Sequence, residues 1–154
     1  MAHYGPAATA EGLGLLWSGA FLGPMAMMGP LSRLASGSRT TDDHQTMADI
    51  RMIATVLESY AIDNTGYPTT AGWETVASIR ASLEPDYVME LPTNDQWDQP
   101  YLVWSDGTTY RIVSRGADAQ IERDWSDGIE PGSFTDSKSD IVFGDGQFLR
   151  WQQR

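Results

Sequence analysis

The longest uncharged apolar stretch of the chain lies at residues 12–32. Roughly 20 apolar residues are enough to cross a bilayer as a helix, although the glycines, Pro24 and Pro30 make this segment a mediocre helix former. We interpret it as a helix that lies in a membrane or packs against copies of itself. A cleaved signal peptide is one alternative, which the absence of Lys and Arg before the segment disfavours. A soluble or wrongly assigned start is the other.

A second helix is predicted from residue 41 to residue 64. Apolar residues recur there at three- and four-residue steps and form one stripe: Met47, Ile50, Ala54, Leu57 and Ala61, with Ile53 and Tyr60 beside them. Thr41 is a candidate N-cap, and Asp42 and Asp43 follow in the first turn, where the helix dipole favours acids. Asn64 and the Thr-Gly pair after it end the pattern.

The small, polar run at residues 34–41 is typical of a hinge. It divides the chain into a hydrophobic N-terminal segment at 1–41 and a globular domain at 42–154. Within that domain, residues 73–84 form a candidate short helix, and the prolines that follow bound a stretch without regular pattern.

Two β-hairpins are predicted in the last third of the chain. Strand-like runs flank the Asp-Gly pair at 106–107, and a second pair of runs flanks the Gly-Asp-Gly turn at 144–146. The segment between them is long, irregular and acidic. The order of elements therefore predicts an α+β fold, in which the long amphipathic helix covers a small antiparallel β-sheet with irregular loops.

The charge of the chain limits its function. The net charge is −11, and residues 42–154 hold 20 acids against 8 bases. An acidic domain repels phosphate backbones, so nucleic acid is not an expected partner. His3 and His44 stand alone, and neither a nucleophile-elbow motif nor a glycine-rich phosphate loop is present. We therefore expect no enzymatic activity. The acidic loop either is simply solvated or holds a cation.

Several motifs, in order, resemble a known family. They are the helix end with Asp63-Asn64 and Gly66-Tyr67-Pro68, the Trp97-Asp98-Gln99-Pro100-Tyr101 block, and Gly116-Ala117-Asp118. Together they are similar to the C-terminal domain of the type II secretion major pseudopilin, a type IV pilin-like subunit. The resemblance covers about residues 45–151. It does not include the family's processing motif, which has a basic leader, a glycine, a phenylalanine and a glutamate at the fifth mature position.

The resemblance implies a pilin-like fold and a structural role. Such subunits pack an N-terminal helix into a filament core, while their loops and sheet face outward and contact neighbouring subunits. In this chain the large apolar side chains of the first segment would carry that assembly: Leu13, Leu15, Leu16, Trp17, Phe21 and Leu22. Trp97, Tyr101 and Trp104 would fix their loop to the domain, as core residues or with surface left for subunit contacts.

The resemblance also implies calcium. The family binds Ca²⁺ in the loop after the glycine-alanine-aspartate motif, and Asp118 and Asp140 match the family's ligands by position. A second family acid is replaced here by Lys138, and Asp136 is the candidate substitute. Ca²⁺ takes six to eight oxygen ligands, which an irregular acidic loop can supply.

Two functions follow as hypotheses. The first is a structural subunit of a helical homo-oligomeric filament in protein secretion, with other pseudopilins and inner-membrane assembly proteins as partners. Its location would be the inner membrane before assembly and a periplasmic or extracellular filament afterwards. The alternative is a membrane-tethered or exported module with the same fold that binds calcium or a protein and does not polymerise.

Overall fold

The computed structural model describes the backbone of residues 29–153 and the side chains of residues 41–153. The prediction of an apolar N-terminal helix falls largely outside that range, and so do all six assembly residues named above. Within the part described, no helix combines the length and the apolar character that spanning a membrane requires.

The first element is one long helix, α1, at Gly29–Asn64. Its 36 residues correspond to a length of about 54 Å. The predicted hinge at 34–41 is wrong, and Thr41 lies inside the helix rather than at its cap. Small polar residues and one glycine cost a helix only about 0.5–1 kcal/mol each, and no proline occurs between Pro30 and Pro68 to interrupt it.

The rest of the domain consists of six strands and one further helix. The strands are β1 at Glu74–Thr75, β2 at Leu102–Ser105, β3 at Tyr110–Ser114, β4 at Gly132–Phe134, β5 at Ile141–Gly144 and β6 at Gln147–Gln152. Helix α2 spans Val76–Leu83, inside the predicted range. The sheet order is β1-β2-β3-β5-β6-β4.

Both predicted hairpins are confirmed. Strands β2 and β3 pair antiparallel with Trp104 opposite Arg111, and β5 and β6 pair antiparallel around Asp145 and Gly146, both at positive φ. The expectation of a purely antiparallel sheet is wrong in one place, because β4 pairs parallel to β6. Strand β4 lies inside the acidic loop, where three residues without alternating polarity carry no strand signal.

One face of the sheet packs against α1. Ile50, Ile53 and Leu57 of the predicted stripe are at most 1% exposed and meet Tyr110 and Ile112 of β3 in the main core. Val56 is also buried, although it lies outside the predicted stripe. The helix-on-sheet arrangement expected from the sequence is therefore confirmed.

The opposite face of the sheet is covered by the acidic loop. Trp125 from that loop is 4% exposed and packs with Val113, Val142 and Leu149, while Ile129 covers their edge. Guanidinium groups lie over the indole of Trp125, with Arg123 at 5.0 Å and Arg150 at 6.0 Å from the ring centre. The loop is thus a packed layer of the domain.

Candidate functional site: the Asp140 loop

The two ends of the acidic loop are held together at the short 3₁₀ turn Gly116–Asp118. The backbone N–H of Ala117 donates to the carbonyl of Ser137 over 2.8 Å. Gly116 has φ +61°, and a Cβ built on it would lie 2.7 Å from the Ser137 carbonyl oxygen and 2.8 Å from that of Lys138. Only glycine fits this crossing, which places the start of the loop, with Asp118, beside its end.

Asp140 is the central acid of the loop and is fully buried. Its Oδ2 accepts two hydrogen bonds, from the backbone N–H of Glu122 at 2.7 Å and from the indole Nε1 of Trp125 at 2.6 Å. Its Oδ1 is also buried and has no hydrogen-bond partner among the described residues. Burial is the main cause that raises the Asp140 pKa to about 6; the charges of Glu122 and Asp118 also raise it, while the hydrogen bonds from Glu122 and Trp125 act in the opposite direction.

The three predicted calcium ligands differ in the groups on which they act. Asp118 lies close enough to Asp140 to act on its pKa, and Asp118 Oδ1 also accepts the backbone N–H of Gln120 at 3.0 Å. Asp136 instead acts on Asp43 of α1 and accepts the N–H of Lys138 at 3.1 Å. Glu122, which the sequence did not single out, bonds Asp140 through its backbone N–H, and its charge also acts on the Asp140 pKa.

The bare carboxylate oxygen of Asp140 is a suitable ligand for a hard cation. A buried, unpartnered carboxylate oxygen is costly unless a positive charge or a donor reaches it. The charges of Asp118 and Glu122 act on Asp140, and oxygen is the ligand that Ca²⁺ prefers. Among the described residues, however, no three His, Cys, Asp or Glu side chains converge as a ready-made metal site. An ion here would therefore need backbone or water oxygens as well.

Asp43 is a second buried carboxylate with a bare oxygen. It is 1% exposed, and its Oδ1 has no hydrogen-bond partner in the part of the chain described. Burial, followed by the charges of Asp42 and Asp136, raises its pKa to about 6. The sequence placed Asp43 in a first helical turn, stabilised by the helix dipole. Because α1 begins before it, that explanation is wrong.

Other acids of α1 have tyrosine partners. Tyr101 is fully buried and donates its hydroxyl to Asp49 Oδ2 over 3.2 Å. Glu58 accepts the hydroxyls of Tyr110 at 3.1 Å and Tyr67 at 3.0 Å. These bonds connect the helix to the sheet and to the loops without any lysine or arginine.

The loop around Trp97 is organised by Asp95, an acid that sequence reasoning missed. Asp95 is 5% exposed, and its Oδ1 accepts the backbone N–H groups of Trp97 and Gln99. Its Oδ2 accepts the hydroxyl of Ser114 over 2.7 Å. An aspartate two residues before a turn is an Asx-turn signal, which was available in the sequence. Tyr101 is the buried anchor of this loop, and Trp97 and Trp104 are only half-buried.

The fold defines a class of protein. A long N-terminal helix lies on a small, mostly antiparallel sheet with ordered loops, as expected for pilin-like subunits. The family model described as "Type II secretion system (T2SS), protein G" matches residues 33–128, and the chain belongs to this family of major pseudopilins.

A curated relative supports the same assignment. The chain is 33% identical over 88 residues to the type II secretion system core protein G of Vibrio cholerae serotype O1 (strain ATCC 39315 / El Tor Inaba N16961). The match covers 51% of this chain and 60% of the relative. The chain thus spans about 60% of the length of the relative that it matches. This family is a structural component of a secretion system and is not a family of enzymes.

Proposed function

We propose that this pseudopilin is the structural subunit of a helical filament in type II secretion and that it polymerises through its N-terminal apolar segment. The observation that carries the proposal is the unbroken helix α1. It runs without a break from Gly29, through the predicted hinge, into the globular domain. Together with family membership, this continuity favours a subunit whose head is held at a fixed distance from a helical core.

The partners and location follow from that role. Copies of the same chain are the main partner, and other pseudopilins and inner-membrane assembly proteins are the accessory ones. The subunit resides in the cell envelope, in the inner membrane before assembly and in a periplasmic or extracellular filament afterwards. We infer no catalytic role, and Asp118 and Asp140 belong to the structure of the loop.

We further propose that Ca²⁺ completes the loop at Asp140. The bare Oδ1 supplies the first ligand, and the neighbouring Asp118 is the second carboxylate. Asp136, which the resemblance offered as a third ligand, acts on Asp43 and is the least supported of the three ligands. A bound cation would neutralise the charge that accumulates between Asp118, Glu122 and Asp140.

Electron microscopy of the full-length chain, produced together with the assembly components of a type II secretion system, tests the filament. Replacing Leu15 and Leu16 by glutamate should abolish filaments, because two charges in a helical core are strongly disfavoured. The matched control replaces the exposed, uncharged Ser82 and Thr108 of the head by glutamate, which also adds two charges, and should assemble normally. Normal assembly of the Leu15→Glu/Leu16→Glu protein would refute the proposal.

Truncation separates the filament from the alternative, a module that binds calcium or a protein without polymerising. A chain that starts at residue 42 retains the sheet, the acidic loop and the buried part of α1. If the full-length protein forms no filaments while the truncated protein keeps its calcium-dependent stability, the binding-module hypothesis replaces the filament.

A further inference from the structure

Helix α1 presents two different flanks on either side of the stripe that packs on the sheet. Residues advance by about 100° per position around a helix. Met47 and Arg51 therefore lie on one flank, next to β6, whereas Asp49 and Met52 lie on the other, next to the loop at 84–93. The two flanks differ in both shape and charge.

The first flank contains a groove, which we call the α1/β6 groove. It is a hollow of about 240 Å³ lined by Met47, Arg51, Phe148 and Trp151. The guanidinium of Arg51 lies 4.9 Å from the centre of the Phe148 ring. Among residues 41–153, Arg51 forms no ion pair. In a domain with a large excess of acids, this groove joins an apolar surface to an unpaired positive charge.

The second flank carries a protrusion, which we call the Met89 knob and define as residues 86–90. Met89 is 83% exposed, the highest value among the large hydrophobic residues that the structure describes. Asp86 and Glu90 on either side of it are exposed acids that form no ion pair within the described chain. The knob therefore joins an apolar tip to unpaired negative charge.

We propose that the Met89 knob of one copy docks into the α1/β6 groove of the next copy. The Met89 thioether would pack against the aromatic rings of Phe148 and Trp151, a favourable contact for methionine. Glu90 or Asp86 would pair with Arg51. Each surface has an apolar part, and the charges of the two surfaces are opposite in sign.

The placement of the two surfaces determines what such a contact builds. They lie on opposite flanks of one helix, so each copy has a free knob and a free groove after one contact has formed. A head-to-tail contact of this kind repeats, and when its rotation does not close a ring it gives an open helical polymer. The inference rests on the proposed polymerisation and specifies which surfaces of the heads meet.

Charge reversal tests the contact in filaments of the full-length chain. Arg51→Glu and Glu90→Arg should each reduce the filament yield, because each places like charges opposite each other. The double variant should restore most of the wild-type yield, since the pair is then re-formed with reversed sign. Thermal unfolding of each variant checks that the domain is folded. Single variants that assemble like the wild type would overturn the proposal.

Crosslinking provides a second readout, because the chain has no native cysteine. We would mix two singly substituted proteins, His44→Cys at the edge of the groove and Met89→Cys on the knob, and assemble them together with a short bismaleimide. The expected product is a mixed dimer that contains one of each. His44→Cys alone and Met89→Cys alone should each give little crosslinked dimer. If either protein alone gives as much dimer as the mixture, the head-to-tail contact is overturned.

The two failures can be told apart. If the wild-type chain forms no filaments, the proposed function fails. If filaments form but neither the mixed crosslink nor the charge-reversal rescue is found, the proposed function stands and the knob-and-groove contact is wrong.

Discussion

Two acids of α1, Asp49 and Glu58, are in the opposite situation to Asp43 of the same helix and Asp140 of the acidic loop. Asp49 and Glu58 accept tyrosine hydroxyls that connect the helix to the domain. Asp43 and Asp140 are at most 1% exposed, yet each has one oxygen without a partner in the described chain. Carboxylates of the first kind stabilise the fold directly, and those of the second kind need a proton or a cation.

The largest expected loss of stability comes from adding a side chain at Gly116, where the two ends of the acidic loop cross. Gly116→Ala should lower the free energy of unfolding by about 3 kcal/mol, because the new Cβ meets backbone atoms of Ser137 and Lys138 and the residue keeps a positive φ. Urea denaturation measures the loss. Gly146→Ala is the control, since Gly146 also has positive φ but nothing within 4 Å of the new Cβ, and it should cost only about 1 kcal/mol.

The next effect is a pH dependence that originates at Asp43. Its pKa is about 6 in the folded protein, against the ordinary aspartate value of 3.8, so the unfolded chain releases this proton at a lower pH. The stability that this group contributes is present below pH 4 and is lost as the pH rises through 6. Asp43→Asn should reduce the loss of unfolding free energy between low and neutral pH by about 1–2 kcal/mol, after allowance for partial solvent screening.

Urea denaturation at pH 5 and pH 7.5 in EGTA measures this slope. Asp86→Asn, which neutralises an exposed acid, should leave the slope close to that of the wild type. An Asp43→Asn protein with the unchanged slope would show that Asp43 is not a buried, unpaired carboxylate.

The smallest effects come from the acids that already have partners. Tyr101→Phe removes a buried donor to Asp49 and should cost about 1 kcal/mol, with the same value in Ca²⁺ and in EGTA. Tyr87→Phe removes a hydroxyl that bonds Asp63 and Asn64 in an exposed setting and should cost less than about 0.5 kcal/mol. A calcium-dependent loss in Tyr101→Phe would mean that the two kinds of acid are coupled.

The sequence predicted the elements whose signals are local. The stripe from Met47 to Ala61 and the turns at Asp106-Gly107 and Gly144–Gly146 each specify a structure through neighbouring residues. The hinge at 34–41 was predicted because small polar residues favour loops, but a continuing helix overrides so weak a preference. Strand β4 forms only through pairing with β6, as in Gly132 with Arg150, which is distant along the chain.

The candidate site was predicted only in part. Motif resemblance pointed to Asp118 and Asp140, and in the structure the charge of Asp118 acts on Asp140. The roles of Glu122 and Trp125 depend on how the long loop folds back over the sheet, and no local pattern specifies that path. For the same reason the sequence could not show that Asp136 would lie near Asp43.

The most direct test of the distinction between the two kinds of acid is the melting temperature of the full-length wild type and of Asp140→Asn at pH 7.5, each in millimolar Ca²⁺ and in EGTA. Calcium should raise the wild-type melting temperature and leave that of Asp140→Asn unchanged. In EGTA, Asp140→Asn should melt above the wild type, because asparagine can still accept from Trp125 and carries no buried charge. A wild type that is insensitive to calcium, together with an Asp140→Asn protein that melts lower in EGTA, would contradict the account.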